Sequence, residues 1–251
     1  MMLPLIRYLL VSYGRSYRYL APLLVFVGAI GFVYSIVPNP VMESYAFTST
    51  LLFVVSAWLA FGFVDAEPIV QQRVTVLHAR GTRVYYAAKL VTIGGIGWLL
   101  GLLATLYPAL LHKFDRTPTF PELGTAFLAH AALAALGIGC AVFFTEKSVP
   151  SRPYALAGLA IVLTVSIAGQ GLAQALPDAV RPAVWLVPPA FRVMDVLVRY
   201  EALPGWRIAL TLLFAAVYAA ALVALFVALM NRKKFYPGRS LTVHHPGANI
   251  S

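Results

Sequence analysis

The hydropathy pattern of this chain is set by six long stretches without Asp, Glu, Lys or Arg. They run Tyr19 to Val37, Ala46 to Val64, Leu90 to Leu111, Leu123 to Thr145, Tyr154 to Ala175 and Ile208 to Met230. Each is 19 to 23 residues long, enough at 1.5 Å per helical residue to cross about 30 Å of hydrocarbon. All 28 charged residues fall among the other 123 positions. A charge at the centre of a spanning helix costs about 3 kcal/mol on insertion scales, which explains the segregation. The ten-residue alternating segments of a membrane β-barrel are absent. The pattern predicts an all-α integral membrane protein with six transmembrane helices.

Three segments outside the spans carry patterns of their own. From Leu3 to Arg18, Arg7, Arg15 and Arg18 share one side of a helical wheel, while Ile6, Leu10, Tyr13 and Tyr17 share another. This predicts an interfacial amphipathic helix lying on the membrane before the chain turns in at Pro22. Between spans two and three, Val70, Val74 and Leu77 recur at helical spacing and Gly81 follows, predicting a short amphipathic helix suited to dock in a partner's groove. Between spans five and six the chain is nearly as apolar as a span, but Pro177, Pro182, Pro188 and Pro189 forbid one straight helix. Two short re-entrant helices, buried against the spans, would satisfy their backbone groups. Trp185 and Trp206 are expected at interface depth.

Composition agrees with the pattern. Of the 251 residues, 61% are AVILMFWYC and 11% are charged, against about 25% charged in soluble domains. The single cysteine, Cys140, cannot form an intrachain disulfide. Orientation follows from Lys and Arg, which resist translocation. The amino end, the second and fourth connections and the tail hold 13 of them; the opposite side, made of the first, third and fifth connections, holds 6, balanced by 6 acids. Both termini are therefore expected in the cytoplasm, and the net charge of +10 reads as topology and contact with anionic headgroups, not nucleic-acid binding. The first apolar run lies behind a basic segment and is read as a retained span, not a cleaved signal. Residues 1–234 form one transmembrane domain and 235–251 a polar cytoplasmic tail. The longest connection, 176–207, is too short for a soluble domain.

Catalytic motifs are missing. There is no HExxH, no GxSxG and no Gly-Lys pair for a phosphate-binding loop. His130 reads as a helix-packing donor, and His244 with His245 as a weak metal argument. Gly97-x-x-x-Gly101 permits close helix approach, a frequent chance match in a glycine-rich span. No cofactor site is expected in this chain. An intramembrane enzyme acting on lipid or peptide would need a constellation around His130, Gln170 and Gln174; a secondary transporter would need ionisable groups within the spans.

The chain from about Leu3 to Lys234 resembles the membrane permease subunit of the type-2 ABC exporter family. The stretch from Glu67 through Arg73, Leu77, Arg80, Gly81 and Arg83 to Lys89 is similar to the family's acidic residue, leucine-containing helix, turn, Ser/Thr-Arg pair and later Lys. The stretch Val184-Trp185-Leu-Val-Pro188-Pro189-Ala-Phe191 is similar to its apolar-Asn-Pro element. Gly81 stands where relatives often have Pro, and Pro188 where they often have Asn.

The resemblance implies that Glu67 to Arg83 is a coupling helix seated in a separate ATPase subunit, present in two copies and binding ATP and Mg. Leu77 would be the apolar anchor, with Arg73, Arg80 and Arg83 pairing with acidic groups. Two permease copies, or this chain and a sibling, would line a pathway from spans two and five. Those spans offer Thr48, Thr50, Phe53, Ser56, Trp58, Thr164, Ser166, Gln170 and Gln174, an uncharged lining. Trp185, Pro188, Pro189 and Phe191 would form an outer gate. The implied location is a bacterial inner membrane.

Overall fold

A computed structural model describes residues 2–146, 148–179 and 181–232, without the side chains of Ile69, Arg181 and Ala183. Lys147, Lys233, Lys234 and Arg239 of the charge count lie outside the described residues, as does the tail 235–251 with His244 and His245. The described residues form α-helices joined by turns and short 3-10 segments, with no strand among them. In order these are α1 (Met2–Ser16), α2 (Leu20–Val33), α3 (Val41–Val64), α4 (Ile69–His78), α5 (Thr82–Leu110), α6 (Phe120–Ala141), α7 (Arg152–Ala175), α8 (Ala190–Val198) and α9 (Gly205–Arg232).

Among the described residues five helices, α3, α5, α6 with its 3-10 extension, α7 and α9, are long and apolar enough to cross a membrane; the bent pair α1 and α2 makes up to six. The spans run beyond the charge-free stretches. α5 begins at Thr82 and carries Arg83 and Lys89 in its first turns.

The first expected span is shorter than its apolar run. α2 ends at Val33, because Pro38 and Pro40 bias Val37 and Asn39 away from helix. The chain from Tyr34 to Pro40 instead forms a cap in which Asn39 and Phe114 make a parallel bridge. Tyr34 packs on Tyr107 and edge-on against Phe114. α1 turns 82° from α2, as an interfacial helix would, and of its expected apolar side only Tyr13 is fully buried within the chain. Leu9 and Tyr13 are buried while Leu10 and Tyr17 are exposed. α1 packs along α5, and from it Tyr13 reaches across to α3, donating to the Leu59 carbonyl and meeting Phe63 edge-on.

α6 lies at the centre, against α3, α5 and α9. Close approach is possible because glycine and alanine line the contacts. A Cβ on Gly137 would clash with the Phe53 carbonyl oxygen, and Ser56 donates to the Ala134 carbonyl at 3.1 Å. Gly97 and Gly101 both face α6: added Cβ atoms would stand 3.2 Å from Ala134 and 3.0 Å from His130. The Gly-x-x-x-Gly pair is therefore a real packing face and not a chance match.

At one end of the bundle lie α4 and the Asp65 to Pro68 link. At the other lie the cap, the α5–α6 loop and the return from α7 to α9. That return turns back into the bundle as a 3-10 segment, Arg181–Leu186, followed by α8. Pro189 precedes α8, which packs on α3, α6, α7 and α9. Trp185 packs against Phe214, and Tyr218 donates to the Leu186 carbonyl at 2.7 Å. Phe214 lies nine residues past Gly205, or about 14 Å along α9. Trp185 thus stands beside the apolar length of α9, whereas Trp206 sits at its first turn.

Candidate functional site

α4 is held over the ends of α1, α3 and α5. Pro68 precedes it in an extended conformation. Its end is a Schellman closure: Gly81 N–H donates to the Val76 carbonyl at 3.1 Å and Arg80 N–H to that of Leu77 at 3.2 Å. Arg80 takes the left-handed position, φ 60, and Gly81 follows at φ 139. Proline is fixed near φ −65° and could not occupy such a position, whereas Gly81 can.

One face of α4, Gln72 and Val76 with Ala79 after it, is buried. The opposite face carries the apolar stripe. Val70 is 74% exposed, Val74 50% and Leu77 79%, and Arg73, Arg80 and Arg83 surround it, all exposed. Between α1 and α4 an open groove of about 480 Å³ is lined by Leu5, Tyr8, Val74 and Thr75 among others.

Glu67 is not on that surface. Its side chain and that of Lys89 are each 1% exposed and form an ion pair at 2.9 Å. Tyr8 donates to the same carboxylate at 3.0 Å and Tyr85 donates to its other oxygen. Thr75 stands at 3.4 Å from it. Lys89 also donates to the Val64 carbonyl at 2.7 Å, and Gln72 to the Glu67 carbonyl at 2.9 Å. Burial alone would raise the Glu67 carboxyl, but Lys89 and the Tyr85 and Tyr8 hydroxyls outweigh it and hold the group below the ordinary carboxylate value of 4.5. Buried charges are retained where they are paired and hydrogen-bonded, and this one ties α1, the α3–α4 link, α4 and α5 together. The sequence marked Glu67 with the residues expected to face a partner; the structure buries it beneath α4. Tyr8 and Tyr85 were not singled out in the sequence, although Tyr85 and Lys89 sit one helical turn apart, the spacing that puts two groups on one face.

The other sequence-marked residues are dispersed. Phe53, Ser56 and Ser166 are fully buried within the chain, Thr50 is half-buried, and Gln170 and Gln174 are exposed on α7. α7 packs on α8 and α6 rather than along α3, so the six do not form one lining within a single copy. Trp185 is exposed, Pro188 and Phe191 half-buried and Pro189 buried. Phe191 lies over Gly169 of α7, leaving no room for a Cβ there. His130 is fully buried. Its Nδ1 faces the Ala126 carbonyl at 2.7 Å and therefore carries a proton; Nε2 meets the Thr48 hydroxyl at 3.0 Å. Gln170 and Gln174 are not among its partners.

Comparison with protein-family models, with curated proteins and with solved structures finds no match.

Proposed function

We propose that this chain is the transmembrane permease subunit of an ATP-driven exporter of the type-2 ABC kind. The chain works as a pair, either two copies or this chain with a sibling, and is driven by two copies of a separate ATPase that binds ATP and Mg. The observation that carries this reading is α4. A ten-residue helix presents Val70, Val74 and Leu77 outward, rings them with arginines, and is anchored underneath by a buried ion pair to long apolar helices. Exposed apolar side chains rimmed by charge mark an interaction surface, and arginines suit carboxylates on a partner.

In this reading the α4 end faces the cytoplasm, as the excess of Lys and Arg there favours, in a bacterial inner membrane. ATP-driven closure of the partner ATPases shifts α4. The Glu67–Lys89 pair passes the shift to α5, and Tyr8 passes it to α1, because a salt-bridged, hydrogen-bonded link resists shear better than apolar contact. The pathway forms between copies, where Thr50, Gln170 and Gln174 contribute polar groups, and the α8 segment covers its far side. The chain supplies the lever and the conduit, while the phosphoryl chemistry belongs to the partner.

Leu77→Asp and Arg80→Glu test this directly. Both act on the outward face of α4, so each variant is expected to insert and purify like wild type, lose at least tenfold in affinity for the ATPase subunit, and lose transport-coupled ATP hydrolysis. Wild-type coupling in both variants would show that α4 docks nothing of the kind.

A further inference from the structure

The return between α7 and α9 carries a cation that none of the preceding roles uses. Arg192, in the first turn of α8, lays its guanidinium 3.7 Å from the centre of the Trp185 ring, with Phe214 at 5.4 Å and Phe191 at 5.5 Å. The described salt bridges involve other groups: Asp195 pairs with Arg199, and Glu122 and Glu201 with Arg116. No carboxylate among the described residues pairs with Arg192. α9 is 28 residues long, or about 42 Å, and overhangs a 30 Å hydrocarbon layer by about 6 Å at each end. With α9 centred on such a layer, Phe214, about 14 Å along it, would fall about 8 Å below the headgroup boundary. Arg192 is held beside Phe214 of α9, on a helix packed against α7 and α9, and is only half-buried.

An ionisable group at membrane depth is costly and normally marks a partner or a ligand. Here the aromatic rings stabilise the positive charge through their faces but accept no hydrogen bond in the plane of the guanidinium. That plane, with five N–H donors in a fork, matches an oxyanion. We propose that Arg192, stacked on Trp185, binds the anionic headgroup of an amphiphile, a phosphate or carboxylate on an acyl chain, drawn below the interface beside α7 and α9. As a binding site it stands on the geometry alone; as the selector of exported substrate it rests on the permease reading, and it then makes that substrate an anionic amphiphile.

The test is native mass spectrometry of the purified chain with equal amounts of phosphatidylglycerol and phosphatidylcholine of matched acyl chains. Wild type is expected to retain phosphatidylglycerol preferentially. R192Q should reduce that preference about tenfold, the equivalent of one charge-assisted hydrogen bond. R192K, which keeps the charge but not the fork, should reduce it several-fold and serves if R192Q is not monodisperse. R207Q, which alters an exposed arginine near Trp206, should leave it unchanged. Equal retention of both lipids, or equal loss in R207Q and R192Q, overturns the proposal. Displacement of the lipid by millimolar inorganic phosphate also overturns it, since the ligand would then be a free oxyanion. Absence of an ATPase partner would leave this binding result intact, and loss of lipid preference would leave docking at α4 intact.

Discussion

Glu67 and Lys89 show how much one buried pair can organise. Removing one member leaves the other charge uncompensated in an apolar setting, at a cost of about 3–5 kcal/mol. Glu67→Gln is therefore expected to lower the thermal unfolding temperature in detergent sharply. The double variant Glu67→Gln with Lys89→Met should recover most of the loss, since no orphaned charge remains. If the double variant is as unstable as the single, the pair contributes packing and not charge compensation. The pH dependence has a definite sign. Glu67 has a lower pKa folded than unfolded, so its contribution is present above the ordinary value of 4.5 and is lost as pH falls below it. Acid titration of wild type should show this loss, and Glu67→Gln should not. The acid, the lysine and their spacing could be read from the sequence. Their mutual burial could not, because it depends on α1 folding back to bring Tyr8 over the pair.

At the scale of elements, small residues decide which helices touch. Gly137 sits where α3 and α6 come closest and Gly101 where α5 meets α6, so a larger side chain must push the helices apart. Gly137→Leu is expected to cost more than the 1–3 kcal/mol usual for overpacking and to abolish monodisperse purification. Gly95→Leu, at a position with nothing within 4 Å of an added Cβ, should be tolerated. Comparable behaviour of the two variants would rule out the proposed helix contacts. Five of the spanning helices were legible because charges are excluded from their cores. The first was misjudged at its end, where Pro38 and Pro40 stop the helix inside an apolar run. The stripe on α4 was legible as a pattern; that it points away from the chain was not, since periodicity identifies a face without saying what covers it. The same limit hid from the sequence that Phe53 and Ser56 meet α6.

For the whole molecule, a cytoplasmic role for α4 requires the α4 end on one side of the membrane and the α8 end on the other. Cys140 is buried, so single cysteines introduced elsewhere report with little background. Phe120→Cys, at a position 91% exposed, should react with a membrane-impermeant maleimide in intact cells, and Leu77→Cys only after permeabilisation. The reverse pattern would invert the molecule and remove α4 from any cytoplasmic ATPase. The central claim, that α4 seats in an ATP-hydrolysing partner, is tested most directly by a photo-crosslinking residue at Leu77 in native membranes, with one at buried Val76 as the control. Covalent capture from position 77, and not 76, of a subunit that binds and hydrolyses ATP is the expected result. Capture of lipid alone from position 77, or the same products from both positions, would contradict the account.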